Sequence, residues 1–317
     1  MRAVVFAYHD IGYVCLEELL RGGATVAAVF THDDDPGEEV WFRSARVLAA
    51  SHGIPVFAPD NVNAPEWIAR VRGWAPDFIF SFYYRKLLGA ELLALAPRGA
   101  LNLHGSLLPR YRGRCPVNWV LIHGERETGV TLHYMEVKPD RGDIVAQRAV
   151  PIGDDDTALT LFRKLTEAAA VLMRDTYPLL RDGRAPRIPQ DHRAASYFGG
   201  RKPDDGRIVW GADAATIRNL VRAVTHPYPG AFGIWRGRKL FVWEAQRVEA
   251  PAVDRGGAVP RPGQVLAVEA GAHGGIVVQT GGGVLRLTRV QLESEAHEHS
   301  ASDGARRYDI TEGALLT

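Results

Sequence analysis

The feature that most constrains the fold is an alternation of short apolar runs with helical segments through the first third of the chain. Apolar runs of this length are typical of buried strands, and the segments between them carry leucines at helical spacing, as Leu16, Leu19 and Leu20 do. The alternation predicts an α/β fold with a doubly wound, mostly parallel sheet, which binds ligands at the carboxyl ends of its strands. The predicted strands are 3–8, 25–31, 55–58, 77–82 and 100–103, and the predicted helices are 11–21, 42–50, 65–71 and 86–95.

A different pattern begins after residue 156. Residues 157–180 predict one long helix, and residues 214–225 predict a shorter one. Runs with strand character then alternate with glycine-rich turns, such as 256–257, which indicates a small antiparallel barrel like the oligonucleotide/oligosaccharide-binding (OB) fold. The five runs are 230–235, 238–249, 263–270, 275–280 and 284–293. We therefore expect a first domain over 1–190, a linker over 191–205, an OB-like barrel domain over 206–305 and a tail over 306–317.

The composition is that of an ordinary globular protein, with 46% hydrophobic residues and a net charge of +1. This near-neutral charge argues against nucleic acid as the main partner. Cys15 and Cys115 fit neither a disulfide framework nor a metal-binding spacing. The first residues show no basic region, long apolar stretch or small-residue cleavage site typical of a signal sequence, and no stretch approaches the ~18 apolar residues of a membrane span. We expect a cytoplasmic protein without a membrane partner.

The densest polar motif follows the fifth predicted strand, where residues 101–113 read Leu-Asn-Leu-His-Gly-Ser-Leu-Leu-Pro-Arg-Tyr-Arg-Gly. Asn102 and His104 are two positions apart, so on a strand they point to the same face. Such a pair either satisfies local hydrogen bonds or presents an amide donor beside a titratable imidazole. The proline, glycine and arginines of the following loop favour the second interpretation.

A second motif, over residues 129–143, reads as a strand followed by a tight Pro-Asp-Arg-Gly turn. The turn carries Asp140. Taken alone, Asp140 would be interpreted as an ordinary turn carboxylate.

Together the two motifs resemble the folate-dependent formyltransferase family. The family pattern is an Asn, a His two residues on, the run S-L-L-P-x-x-x-G and a later Asp, and it is matched by Asn102, His104, residues 106–113 and Asp140. The resemblance covers essentially the whole chain. It implies a Rossmann-like formyltransferase catalytic domain over residues 1–190, N10-formyltetrahydrofolate as formyl donor and co-substrate, and no metal.

The resemblance also implies a role for each member of a catalytic set, because formyl transfer is acyl transfer to an amine. His104 would handle the proton, since the pKa of an unperturbed imidazole lies near neutrality. Asp140 would hold the ring and favour its charged form. Asn102 would donate an amide N–H to the oxyanion of the tetrahedral intermediate.

The donor site implied by the family lies along two segments near these residues. The pteridine of the folate would contact backbone in both segments, with one arginine close by. The implied residues are Lys86, Leu87, Leu88, Arg114, Glu136, Val137, Lys138, Pro139 and Asp140.

Within the family, the similarity is greatest to the formyltransferase domain of the bifunctional polymyxin-resistance enzymes, carried by residues 6–10, 58–63, 80–85 and 227–232. That resemblance implies formylation of UDP-4-amino-4-deoxy-L-arabinose in lipid A modification. A dTDP- or GDP-linked amino sugar stays open as the acceptor. Arginine forks match the oxygens of a diphosphate, and an aromatic ring could stack on a base. The residues expected to bind the substrate are Arg112, Arg201 and Tyr111.

The sequence disfavours two other functions. A methionyl-tRNA formyltransferase needs a basic surface, yet residues 32–39 carry five carboxylates, and residues 206–317 hold 13 Lys/Arg against 11 Asp/Glu. A catalytically silent nucleotide- or folate-binding module would not need all three of the catalytic set. His297 and His299 lie in a polar tail without a third ligand, so we interpret them as solvated residues and expect no metal site there. The sequence leaves the oligomeric state open.

Overall fold

A computed structural model describes residues 1–34, 40–249, 259–271 and 273–317. Three carboxylates of the acidic stretch, Asp35, Glu38 and Glu39, lie outside the described residues, as does the predicted turn at 256–257. The described residues form two compact units. The first comprises Met1–Pro116, Arg126–Ile152 and Leu161–Gly199, and the second comprises Val117–Glu125, Gly153–Thr160 and Gly200–Thr317.

The helices of the chain agree broadly with the predicted ones. They are α1 (His9–Arg21), α2 (Ala45–Ser51), α3 (Pro65–Trp74), α4 (Ala90–Leu93), α5 (Pro116–Ile122), α6 (Ala158–Arg181), α7 (Ala214–Val224) and α8 (Ala301–Tyr308). The long helix predicted over 157–180 is confirmed as α6. Within the residues that the structure describes, no helix is both long and apolar enough to cross a membrane.

The first unit is built on a seven-stranded sheet. Its strands, with two short ones outside that sheet, are β1 (Arg2–Ala7), β2 (Thr25–Phe30), β3 (Val56–Phe57), β4 (Phe78–Phe82), β5 (Gly99–His104), β6 (Arg112–Gly113), β7 (Glu127–Tyr134), β8 (Ile144–Pro151) and β9 (Tyr197–Phe198). The order in the sheet is β3-β2-β1-β4-β5-β7-β8. The first five of these are parallel, while β7 and β8 are antiparallel. The predicted α/β fold with a mostly parallel sheet is confirmed.

Burial explains why the parallel strands form. All residues of β4 are buried, as are all but the first of β1, because helices cover both faces of such a sheet. On one face Phe6 stacks on Phe30 with ring centroids 4.7 Å apart, and α3 adds Ile68 and Val71 to the same core. This core holds β1, β2 and α3 together.

The predicted helix over 86–95 is wrong at its beginning, since only Ala90–Leu93 is helical. The reason is the side chain of Asn63. Its Nδ2 donates to the carbonyl oxygen of Leu87 at 2.9 Å, and its Oδ1 accepts from the N–H of Gly89 at 2.6 Å. These two bonds engage backbone groups ahead of α4 and hold residues 86–89 in an irregular loop.

The second unit carries an antiparallel sheet of six strands. They are β10 (Ala231–Trp235), β11 (Arg238–Val248), β12 (Val265–Glu269), β13 (Gly275–Gln279), β14 (Val284–Leu292) and β15 (His299–Ser300). Their order is β10-β11-β14-β13-β12, with β15 paired to β14. All five predicted strands are confirmed, and β15 is an addition that the polar sequence around it did not indicate.

Most of the predicted linker belongs to the first unit. Within the predicted linker, β9 pairs in parallel with β6 of the arginine-rich loop. Ser196 extends this contact, because its carbonyl oxygen accepts from Arg112 N and its Oγ accepts from Tyr111 N, each at 2.9 Å. Residues up to Gly199 belong to the first unit, so this segment supports the loop that follows β5.

Candidate active site

The first sheet brings the two polar motifs together. Asn102 and His104 lie on β5, and β7 runs antiparallel beside it, with His133 opposite Asn102. The chain turns after β7 and presents Asp140 in the left-handed conformation, at φ 58°. Aspartate tolerates that conformation better than most residues. A strand and a turn thus place an amide, an imidazole and a carboxylate at one end of β5.

His104 and Asp140 form the central pair. Nδ1 of His104 lies 3.6 Å from Oδ1 of Asp140, and both side chains are largely buried. The other ring nitrogen, Nε2, lies 2.8 Å from the carbonyl oxygen of Tyr111. A carbonyl only accepts, so Nε2 carries a proton in both the neutral and the charged ring. The proton that can be exchanged is therefore the one on Nδ1, beside Asp140.

The carboxylate of Asp140 is held by the loop after β5, since Gly113 donates its N–H to Oδ2 at 2.8 Å. Burial alone raises the pKa of Asp140. The charge of His104, together with the nearby His133 and the N–H of Gly113, more than offsets burial and holds that pKa well below its usual range. Asp140 is therefore an anion at neutral pH.

His133 is a member of this cluster that the sequence did not single out. Its Nε2 lies 3.2 Å from Nδ2 of Asn102 and 3.6 Å from Oδ1 of Asp140. The side chain is 1% exposed. The one signal in the sequence is a titratable residue within a run that is otherwise typical of a buried strand.

Gln190 is a second residue that the sequence did not indicate. Its Nε2 donates to the carbonyl oxygens of Asp140 and Gly142, at 3.1 and 2.7 Å. Its Oε1 accepts from Nε of Arg112 at 3.2 Å. One buried amide thus ties the turn of Asp140 to the arginine-rich loop. Nothing in the polar sequence around residue 190 marks this role.

Arg112, which we expected to bind substrate, is 1% exposed. Its guanidinium donates to Gln190 and to Tyr197 Oη, and it also contacts His192. These partners satisfy the guanidinium inside the protein. Arg112 therefore has a structural role, which is to hydrogen bond to these buried side chains. Its predicted contact with a diphosphate stays a prediction.

The other residues expected to bind substrate fall in both units. Tyr111 is buried in the first unit and stacks on Phe198, with ring centroids 5.0 Å apart. Arg201 belongs to the second unit, where it lies over the ring of Trp119 and donates to the carbonyl oxygen of Asp205 at 2.8 Å.

Three of the nine predicted donor residues line an open groove of about 540 Å³ in the first unit. Glu136, Val137 and Lys138 line it, together with Ala90, Leu93, Ala94 and Met135. Of the other predicted donor residues, Leu87 is 71% exposed, Leu88 packs on the core, Arg114 and Pro139 are exposed, and Lys86 donates to the carbonyl oxygen of Pro59. Exposed apolar side chains such as Leu87 and Val137 suit contact with a flat ring.

Positive backbone φ at non-glycine residues occurs in this site and elsewhere in the first unit. His9, which follows β1, and Tyr83, which follows β4, both have positive φ, as do Tyr111 and Asp140. Non-glycine residues adopt this conformation at a cost, and such strain clusters at functional sites. Tyr83 also explains Gly105, because a Cβ there would lie 2.1 Å from Tyr83 Oη.

Among the described ranges, no three or more His, Cys, Asp or Glu side chains form a group that could hold a metal ion.

Comparison with solved structures gives the same fold. An N-formyltransferase from Helicobacter canadensis, in complex with folinic acid and dTDP-3-aminofucose, is 18% identical with a TM-score of 0.65, covering 90% of this chain and 98% of that one. The sugar 3N-formyl transferase WlaRD, in the presence of dTDP and 5-N-formyl-THF, is 18% identical with a TM-score of 0.64, covering 93% and 98%.

HypX from Aquifex aeolicus, in complex with tetrahydrofolic acid, is also 18% identical, with a TM-score of 0.63. The match covers 100% of this chain but 50% of HypX, so the chain spans about half the length of that relative.

Two family models match the chain itself. One, described as formyl transferase, matches residues 2–176, and the other, described as formyl transferase, C-terminal domain, matches residues 201–304. The first match alone spans more than half of the 317 residues and includes Asn102, His104 and Asp140. The chain therefore belongs to the formyl transferase family.

Proposed function

We propose that this chain transfers the formyl group of N10-formyltetrahydrofolate to the 4-amine of UDP-4-amino-4-deoxy-L-arabinose. The observation that carries the proposal is the 3.6 Å distance between His104 Nδ1 and Asp140 Oδ1, at the end of the strand that holds Asn102, in a chain of the formyl transferase family. With this acceptor, the reaction is a cytoplasmic step in the lipid A modification that gives polymyxin resistance.

Folate as the formyl carrier is supported by three structures of the same fold. The Helicobacter canadensis enzyme holds folinic acid, WlaRD was solved with 5-N-formyl-THF, and HypX holds tetrahydrofolic acid. In this chain, the groove along Glu136–Lys138 offers a surface for the pteridine, next to the turn that carries Asp140.

The geometry suits formyl transfer without a covalent enzyme intermediate. The acceptor amine attacks the formyl carbon. The formyl oxygen then becomes an oxyanion, which accepts a hydrogen bond from an N–H of Asn102. Nδ1 of His104 receives the proton released by the new ammonium and delivers it to the departing folate nitrogen. The anionic Asp140 stabilises the imidazolium that exists between these two transfers.

A different nucleotide-linked amino sugar is the second candidate acceptor. The Helicobacter canadensis enzyme was solved with dTDP-3-aminofucose and WlaRD with dTDP. Arg114 is exposed beside the loop after β5 and is the cation we propose for the diphosphate in the first unit. The buried Arg112 shapes that loop.

Transfer to a tRNA is disfavoured by charge. The described part of the acidic stretch includes Asp33, which pairs with Arg46, and Asp34, which accepts from Tyr8 Oη at 2.9 Å. These contacts hold two carboxylates where a phosphate backbone would need cations.

The test is a folate-release assay with N10-formyltetrahydrofolate and UDP-4-amino-4-deoxy-L-arabinose, run beside His104→Ala. Turnover that disappears in the variant establishes the reaction and the role of the histidine. Turnover only with a dTDP- or GDP-linked amino sugar keeps the chemistry and replaces the acceptor. Folate binding without turnover on any amine would show a binding protein and overturn the proposal.

A further inference from the structure

His133 is the one ionisable side chain of the cluster without a part in the proposed reaction. It lies opposite Asn102 in the β5–β7 register, and its side chain is 1% exposed. Asp140 already serves as the charged partner of His104, with its Oδ1 3.6 Å from Nδ1 of that ring. A buried imidazole in contact with both Asn102 and Asp140 therefore calls for a reason of its own.

The partners of the ring assign its tautomer. Nδ1 lies 2.7 Å from the carbonyl oxygen of Tyr134, and since a carbonyl only accepts, Nδ1 carries a proton. In the neutral ring, Nε2 is then an acceptor. Nδ2 of Asn102 is a donor 3.2 Å away, whereas the 3.6 Å to Asp140 Oδ1 is too long for a hydrogen bond. Nε2 therefore accepts from Asn102.

This bond decides which way the amide of Asn102 points. A reversed amide would set its oxygen against the lone pair of Nε2, with two acceptors facing each other. In the observed orientation one N–H of Nδ2 is used by His133, and the second N–H remains for a ligand. An oxyanion donor has to be oriented before the reaction begins.

We infer that His133 is a positioning residue that fixes the Asn102 amide as a hydrogen-bond donor, an inference that rests on the proposed formyl transfer. Its tautomer is the opposite of that of His104, which is protonated on Nε2 toward Tyr111. The two histidines thus have different roles. His104 exchanges a proton through Nδ1, and His133 keeps its Nε2 unprotonated as an acceptor.

Two variants separate this role from simple packing. His133→Phe keeps a buried ring without the acceptor, and we expect kcat to fall on the order of 100-fold, as for other small misplacements of catalytic groups. The KM for each substrate stays unchanged, because Asn102 acts in the transition state. In His133→Gln, the amide oxygen can accept from Asn102, and we expect most of kcat to return. His52→Gln, at an exposed histidine, is the matched control.

A ¹⁵N NMR measurement on the wild-type protein tests the tautomer without any turnover. We expect the Nε2 signal of His133 in the range of an unprotonated imidazole nitrogen at neutral pH, and Nδ1 in the protonated range. A protonated Nε2 overturns the inference, as does an unchanged kcat in His133→Phe. If His104→Ala abolishes turnover while His133→Phe leaves kcat unchanged, the proposed function stands and this inference fails. If no amine is formylated, the NMR result still decides the state of His133.

Discussion

Nε2 of His104 donates to the carbonyl oxygen of Tyr111 at 2.8 Å, and this contact determines which nitrogen can take part in catalysis. The residue that supplies the carbonyl belongs to the loop after β5, and Gly113 of the same loop donates to Asp140. One loop therefore orients both the imidazole and the carboxylate. Its shape depends in turn on β9 and on Gln190, which lie outside the two motifs.

Removal of the amide in Asn102→Ala tests the oxyanion donor. We expect kcat to fall by about 10²–10³, equivalent to about 2.7–4 kcal/mol of transition-state stabilisation, because one preoriented N–H is lost. Steady-state kinetics on formyl transfer measure this directly. Full turnover in the variant would remove Asn102 from the mechanism.

Asp140→Asn removes the negative charge and can keep the bond from Gly113 through the amide oxygen. We expect kcat to fall by about 10²–10⁴, the range of a general acid–base contribution, because the imidazolium of His104 loses its counter-ion. Asp143→Asn is the matched control, since Asp143 lies in the same motif and pairs with Arg187 at 3.5 Å. Equal rates in the two variants would contradict a specific role for Asp140.

The parts of the fold that follow from local pattern could be predicted from the sequence. Apolar runs with intervening amphipathic segments indicated the parallel sheet, and the strands of the second unit followed from runs between glycine turns. The spacing of Asn102 and His104 placed both on one strand, and β5 carries them. Asp140 entered through the family resemblance, since a turn carboxylate has no pattern of its own.

What the sequence could not show depends on contacts between distant segments. His133 faces Asn102 through the register of two strands, which no local pattern encodes. Gln190 meets Asp140 because the chain returns to the site after α6. Asn63 shortens α4 by hydrogen bonding to a loop that is separated from it in sequence. In each case, the role of the side chain depends on a partner that is distant in the sequence.

Gln190→Met tests whether the returning segment supports the site. The variant keeps the volume and removes every hydrogen bond of the amide, so the carbonyl oxygens of Asp140 and Gly142 lose a donor. We expect the free energy of unfolding to fall by about 1–3 kcal/mol and kcat to fall with it, because the turn of Asp140 loosens. Urea denaturation and formyl-transfer kinetics measure the two effects. Gln246→Met, at an exposed glutamine of the second unit, should change neither.

We expect the buried His9 to make the protein less stable at mildly acidic pH. Burial lowers its pKa from 6.5 to about 4; nearby Asp10 raises that pKa and Arg85 lowers it further, both to a smaller extent. As the pH falls below 6.5 the unfolded chain binds a proton that the folded chain does not, so the free energy of unfolding falls until about pH 4. Between pH 7 and pH 5, this histidine should lower the free energy of unfolding by about 2 kcal/mol. In His9→Asn, the asparagine tolerates the left-handed backbone. Between pH 7 and pH 5, urea denaturation of this variant should show a decrease in the free energy of unfolding that is smaller than that of the wild type by about 2 kcal/mol. His52→Asn, at an exposed histidine, should match the wild type. An identical pH dependence in all three proteins would show that the pKa of His9 is the same in the folded and the unfolded chain.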